Sequence, residues 1–321
     1  MKDTRFAFAD AKIRTLETGL LTPAMIEQML GFSGVPEVAE FLRAHGWQIG
    51  EKETDPHRIV AEEGDRLWNE VSELLPEAGI LDPLLIPNDF HNLKAALKAL
   101  VSGEKAERFF IRPTTLDTDR LFQILAEKRY DELPRSMAEA AVKCYDILTS
   151  TGDGQWADAV LDRASLETLS DAAGKSDSEL MRQYAAWTTA IADCKTAYRA
   201  AGKDEEFLKD AICGSDLLDA ASLIRAAAKG RGDVLALLAE SPLSDAAEKL
   251  KVSMSAFEKW ADDRITALCD IARLKCFGPD PIVAYYLAKL TEIKTVRILL
   301  VCRACGASAE TTRERMRDVY V

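Results

Sequence analysis

Histidine is scarce and scattered: His45, His57 and His91 are the three in 321 residues, and none belongs to a His-x-x-His or His-Glu-x-x-His pair. Two imidazoles one helical turn apart are how zinc hydrolases seat their metal, so that class is disfavoured. Long apolar runs are missing too. Near the end of the chain the longest uncharged apolar stretch, Pro281 to Ala288, has eight residues, whereas a spanning helix needs roughly twenty. No direct membrane span is expected. The first residues, Met1-Lys-Asp-Thr-Arg-Phe-Ala-Phe, lack the apolar core of a signal peptide, which predicts a cytoplasmic chain. A phosphate loop is absent as well: Gly174-Lys-Ser176 has the right ending, but Leu169 stands where the first glycine belongs. Seven cysteines, an odd number without secretory context, argue against a disulfide framework and read as reduced thiols.

What is present points to helices. Ala, Leu, Glu, Lys and Arg dominate, and runs of β-branched residues are short, so an all-α fold is expected. The net charge of −12 repels phosphate backbones and anionic lipid surfaces, which disfavours non-specific nucleic-acid binding. Thr22-Pro23 places a capping hydroxyl before a proline at the first helical position, and Pro36 to His45 runs into Gly46 as a stop. Ser136-Met-Ala-Glu139 and Ser255-Ala-Phe-Glu258 both match the capping box. After Ser255, the residues Phe257, Trp260, Ala261, Ile265 and Leu268 share one helical face. Breakers at 50–56, 75–79, 111–114, 152–154, 230–233 and 277–281 mark the expected joints. A polar tract near Asp171 to Ser178 is the one stretch whose composition favours disorder.

A weak repeat runs through this pattern. An acidic or amide residue, one apolar residue and a lysine recur at Asp10-Ala-Lys12, Asn92-Leu-Lys94, Asp193-Cys-Lys195 and Glu292-Ile-Lys294, each read as opening a helix. A hydroxyl residue near the next helix start follows at Thr22, Thr114, Ser215 and Ser308. Such a repeat implies a helical unit duplicated within the chain.

Several motifs are decoys. Cys302-Arg-Ala-Cys305 has redox or half-zinc spacing, but no second Cys-x-x-Cys accompanies it, and idle thiols near a helix end are the simpler reading. Asp262-Asp263 resembles the magnesium-binding aspartates of helical isoprenoid enzymes, yet Thr266 occupies the third position. Arg231-Gly-Asp233 reads as a turn. No cofactor or metal is expected.

Two segments carry more information: Leu84-Leu-Ile-Pro-Asn-Asp-Phe-His-Asn-Leu-Lys94, and Gly278-Pro-Asp-Pro-Ile-Val-Ala-Tyr-Tyr-Leu-Ala-Lys-Leu-Thr-Glu-Ile-Lys-Thr-Val-Arg-Ile298. Read physically, Pro279 and Pro281 start a helix carrying Tyr285, Tyr286, Glu292 and Arg297. Lys289 and Glu292 then fall three apart on a solvated face, beside a core stripe of Ile282, Leu287, Ile293, Val296 and Leu300. Asp89 reads as the cap of a helix opening at Asn92, just after Phe90 and His91.

Together the two segments resemble the signatures of the C-subunit (AC39) family of the rotary V/A-type ATPases, the equivalent of the d-subunit of eukaryotic vacuolar ATPases. A looser likeness covers Phe6 to Glu17, with Asp10 and Lys12 where the family usually has Asn and Arg. Cys302 to Cys305 departs from the family pattern. The resemblance implies a funnel-shaped all-α body of three similar modules, divided here as 1–60 with 277–321, 61–105 with 218–276, and 106–217. It also implies a non-catalytic adaptor of the central stalk, holding the axle tip and sitting on the membrane rotor ring to pass torque between ATP turnover and ion translocation. Partner-binding candidates on the matching positions are Lys12, Arg14, Asp89, Phe90, His91, Asn92, Lys94, Tyr285, Tyr286, Glu292, Lys294 and Arg297. The isolated chain is expected to be monomeric, cytoplasmic and peripheral to the membrane through the ring. A free-standing helical-repeat scaffold fits the composition and repeat equally well, and a magnesium-dependent helical enzyme is the third reading.

Overall fold

The computed structural model describes residues 4–321. They form sixteen α-helices: α1 (Ala7–Glu17), α2 (Pro23–Leu30), α3 (Val35–Ala44), α4 (Pro56–Ser72), α5 (Asp82–Ser102), α6 (Thr118–Ala126), α7 (Arg135–Ser150), α8 (Gly154–Gly174), α9 (Glu179–Arg199), α10 (Glu205–Ala211), α11 (Ala220–Lys229), α12 (Arg231–Ala239), α13 (Ser244–Val252), α14 (Met254–Leu268), α15 (Pro279–Ala304) and α16 (Ala309–Arg315). Among the described residues there are short 3-10 turns and one isolated bridge, Ser215 with Leu218, but no strand. The fold is all-α. No described helix is long and apolar enough to cross a membrane.

Contacts divide the chain into two compact units. The first contains residues 4–78, Asp177–Leu180 and Val252–Val321; the second contains Gly79–Ser176 and Met181–Lys251. In the first unit the core joins both ends of the sequence. Ile26 and Met29 of α2, Val38 and Leu42 of α3, and Ile59 of α4 pack with Val296, Leu299 and Leu300 of α15 and with Met316. Local sequence explains the elements that build it. Thr22 caps α2 by accepting from the Met25 N–H, with Pro23 at the first position. In α3 the residues Val35, Val38, Ala39 and Leu42 recur at i, i+3, i+4 and i+7, and all four are buried. In the second unit α8 packs against α5, α7 and α10.

Expected joints coincide with interhelical segments or helix starts, including the start of α15 at Pro279 and the break at Gly230. Other expectations are corrected. Pro134 is the N-cap of α7 and Ser136 lies inside the helix, where its hydroxyl accepts from Thr168. Ser253, not Ser255, caps α14. Helix α5 opens at Asp82 and runs through Pro87, so Asp89 and Asn92 sit within it and not at its start. Burial of Leu84, Leu85 and Ile86 outweighs the loss of one backbone donor at Pro87. All four repeat tripeptides lie inside helices, and of the four hydroxyl residues only Thr22 and Ser308 are helix caps; Asp117 caps α6 and Asp219 caps α11. The tract at Asp171 to Ser178 is ordered: α8 extends to Gly174, and buried Ser178 donates to Asp280 at 2.5 Å.

Candidate functional site

The first signature segment is a clamp. Successive polar side chains of α5 hold the backbone of a loop that runs from Phe109 to Leu116. Asn92 is bidentate to Ile111, its Oδ1 accepting from the N–H and its Nδ2 donating to the carbonyl, both at 2.9 Å. Asp89 accepts from the Thr115 N–H at 3.0 Å, the Thr115 hydroxyl at 2.6 Å and the Leu116 N–H at 3.3 Å. Asn88 donates to the Pro113 carbonyl at 2.8 Å, and His91 Nε2 donates to the Phe109 carbonyl at 3.0 Å. Burial raises the Asp89 carboxyl above its ordinary range, opposed by the Thr115 hydroxyl and the two backbone N–H groups. Asp89 is thus a loop anchor and not a helix cap.

The second segment holds a buried charge network in the first unit. Lys289 Nζ lies 2.9 Å from Glu63 of α4 and 2.5 Å from Glu292, with all three side chains buried. The same ammonium stands 4.9 Å from the Trp47 ring centroid. Arg66 extends the network by binding Glu63 through two nitrogens, at 2.5 and 2.8 Å. Glu292 Oε2 then accepts from the Leu21 N–H at 2.7 Å. The face expected to be solvated is buried at Lys289 and Glu292, because α4 covers it with a matching carboxylate. A buried charge without such a partner would cost several kcal/mol, on the order of 3–5 when one member of a pair is removed.

The repeat now has a chemical meaning. Each of its four acid or amide residues is buried, and each accepts from the backbone N–H of a loop. Asp10 accepts from Gly278, Asn92 from Ile111, Asp193 from Cys213 and Gly214, and Glu292 from Leu21. Two of the recipient turns require glycine: Gly278 has φ +116, and Gly214 has φ +83 with Ala220 so close that an added Cβ would meet it at 2.8 Å. Burial pushes both Asp10 and Asp193 up to about 6.

The chain matches the family described as ATP synthase (C/AC39) subunit over residues 9–315. It belongs to that family. The C-subunit of the V-type sodium ATPase of Enterococcus hirae is 24% identical over 96% of this chain and 97% of that protein. The C-subunit of the V-type ATP synthase of Thermus thermophilus is 28% identical over 64% of this chain and 67% of that protein.

Within this C/AC39 chain, the twelve positions singled out from sequence separate into two groups. Asp89, Phe90, Asn92, Tyr285, Tyr286 and Glu292 are buried, and their side chains organise the interior. Tyr286 meets Trp68 edge-on, and burial raises the Tyr285 hydroxyl. Lys12, His91 and Arg297 are exposed, while Arg14, Lys94 and Lys294 are half-buried. Arg14 donates to the Ala272 and Lys275 carbonyls and pairs with Glu17; Lys94 pairs with Asp162 and Lys294 with Asp262. Sequence reading missed Glu63, Arg66 and Trp47. Its available signal was a Glu and Arg three apart in the amphipathic α4. The Asp262-Asp263 pair holds the C-terminal tail: Asp262 binds Arg317 at 2.5 Å and Asp263 accepts from the Asp318 N–H at 2.8 Å. Cys302 is buried in α15 and Cys305 exposed just beyond it. Among the described residues no three His, Cys, Asp or Glu side chains gather as a metal site.

Proposed function

We propose that this chain is the non-catalytic rotor adaptor of a V/A-type ATPase or ATP synthase: it holds the tip of the central axle, sits on the membrane rotor ring and passes torque between them. On this reading it works in the cytoplasm, peripheral to the membrane through the ring. The observation that carries the proposal is the family match along almost the whole chain, together with a V-type C-subunit aligned over 97% of its own length.

The structure supports the mechanical part of the reading. An adaptor under load needs surfaces that do not yield, each plausibly ~1,000 Å² or more. Here the long helices are tied to neighbouring loops by buried charged and amide groups at Asp10, Asn92, Asp193 and Glu292. Asn92 reaches 19 residues forward and Asp193 reaches 20, while Glu292 reaches to Leu21. The Asp10 and Glu292 links join the two ends of the chain, which supports a shared module of 1–60 with 277–321; the same reading divides the remainder as 61–105 with 218–276, and 106–217.

Lys12, Arg14, His91, Lys94, Lys294 and Arg297 are the candidates with surface to offer a partner. Affinity purification of the tagged chain from gently solubilised membranes, with cross-link mass spectrometry, tests the assignment. Cross-links to both an axle subunit and a ring subunit are expected. Recovery of the chain alone, from membranes whose rotary complex is otherwise intact, overturns it.

A further inference from the structure

The loop that joins the 3-10 turn Cys269–Ala272 to α15 is tied to α1 by hydrogen bonds from two side chains, all within the first unit. Asp10 Oδ2 accepts from the Gly278 N–H at 3.0 Å, and Arg14 Nη2 donates to the Ala272 and Lys275 carbonyls at 2.9 and 2.8 Å. Between these ties the loop carries Leu274, 93% exposed, and Phe277, 46% exposed. Burial of its own apolar side chains therefore does little to hold it, and the polar ties decide how often it opens.

Asp10 differs from the other acids of the repeat. Both oxygens of Asp193 accept a backbone N–H, and both oxygens of Glu292 are taken, by the Leu21 N–H and by Lys289. Asp10 Oδ1 is buried too, yet it has no hydrogen-bond partner among the described residues. When Asp10 is ionised, half of its charge rests on that unsatisfied oxygen, which is costly away from water.

No cation stands free to neutralise it. Arg14 is the nearest, one helical turn along α1, but its Nη1 is taken up by Glu17 and its Nη2 by the two loop carbonyls. Arg14 can move to Asp10 only by releasing the loop. Lys275 of the loop pairs with Glu179 and with Asp280 at the start of α15, and Arg273 pairs with Asp270 and donates to the Tyr320 carbonyl. Arg5, ahead of α1, pairs with Glu77. Burial outweighs the Gly278 bond and the Arg14 charge and pushes the Asp10 carboxyl up to about 6, so the closed loop binds this proton more tightly than the open one. Closure is therefore strongest in acid and weakens as pH rises through about 6.

We propose that Asp10 and Arg14 form a proton-sensitive latch on the 272–278 loop: with the Asp10 carboxyl neutral the loop is held against α1, and with it ionised the segment bearing Leu274 and Phe277 opens more often. Hydrogen exchange of the full-length chain at pH 5 and pH 7.5 tests it, read as protection factors so that the pH dependence of intrinsic exchange divides out. Residues 38–44 of α3 report opening of the whole unit. In the parent, protection of 273–278 is expected to be far below that of α3 at either pH, and to fall about tenfold from pH 5 to pH 7.5. Asp10→Asn keeps an acceptor for Gly278 without a charge, and is expected to abolish the step and hold the loop at its pH 5 protection. Arg14→Gln removes the ties to Ala272 and Lys275, and is expected to lower protection of the loop at both pH values. A step that persists in Asp10→Asn overturns the proposal, as does a parent with no step. Protection of the loop equal to that of α3 overturns it as well, since the loop would then open only with the whole unit.

Discussion

Glu292 and Leu21, 271 positions apart, are joined by a 2.7 Å hydrogen bond from the Leu21 N–H to the Glu292 carboxylate. The same carboxylate neutralises Lys289, so one side chain satisfies both a buried backbone donor and a buried ammonium.

Glu292→Ala removes both partners at once and leaves Lys289 with Glu63 alone. Urea denaturation followed by circular dichroism is expected to show a loss of roughly 3–5 kcal/mol. Glu292→Gln keeps the acceptor for Leu21 and loses less. Adding Lys289→Met to Glu292→Ala recovers part of the deficit, because the uncompensated charge goes with it. Equal effects of Ala and Gln would sink the argument.

Asp10 gives stability an unusual pH dependence. Burial holds its folded carboxyl up to about 6, against an ordinary value of 3.8. The folded state therefore keeps a proton that the unfolded chain releases, and this contribution to stability falls as pH rises from about 4 to 6, then stays lost above that window. Asp10→Asn keeps an acceptor for the Gly278 N–H and abolishes the charge. It is expected to gain on the order of 2 kcal/mol over the parent at pH 7.5 and nothing near pH 4. Parallel denaturation series at the two pH values decide it; a pH-independent difference refutes the linkage.

Asp89→Ala strips the Thr115 and Leu116 amides of their acceptor. Hydrogen exchange of peptides covering 109–117 should accelerate at least about tenfold, with a stability loss of ~1–3 kcal/mol. His91→Ala should change stability by less than about 0.5 kcal/mol, since the carbonyl it releases lies near water. Unchanged exchange in Asp89→Ala would show that the loop holds itself.

Asp262→Ala frees Arg317 and Lys294 together. Trypsin is expected to cut after Arg317 several times faster, and global stability to drop by about 1–3 kcal/mol, because the Arg317 side chain that loses its carboxylate is largely buried. A cleavage rate equal to the parent's would remove the tail-holding role of this aspartate.

Local signals were legible. Thr22-Pro23 and Ser308 carry their capping chemistry within three residues, and Pro279 and Pro281 mark the first turn of α15, where a missing N–H costs no helical hydrogen bond. Asp89 misled because Pro87 looks like a breaker and an aspartate after it looks like a cap; only the packed Leu84, Leu85 and Ile86 carry the helix through. Lys289 and Glu292 have the spacing of an exposed ion pair, and what buries them is Glu63 on α4, far off in sequence. The acid or amide residues of the repeat were visible. Their acceptor role was not, since it depends on which loop the fold delivers to each.

The link from Leu21 to Glu292 also sets a schedule. At ~5–20 residues per second a ribosome takes roughly 15–55 s to travel between them. Through that interval the apolar faces of α2, α3 and α4 exist without Val296, Leu299 and Leu300, their partners in the core. Residues 79–251, by contrast, emerge with most of their contacts in hand. The newborn amino-terminal segment is therefore the part of this chain whose apolar faces wait longest for their packing partners.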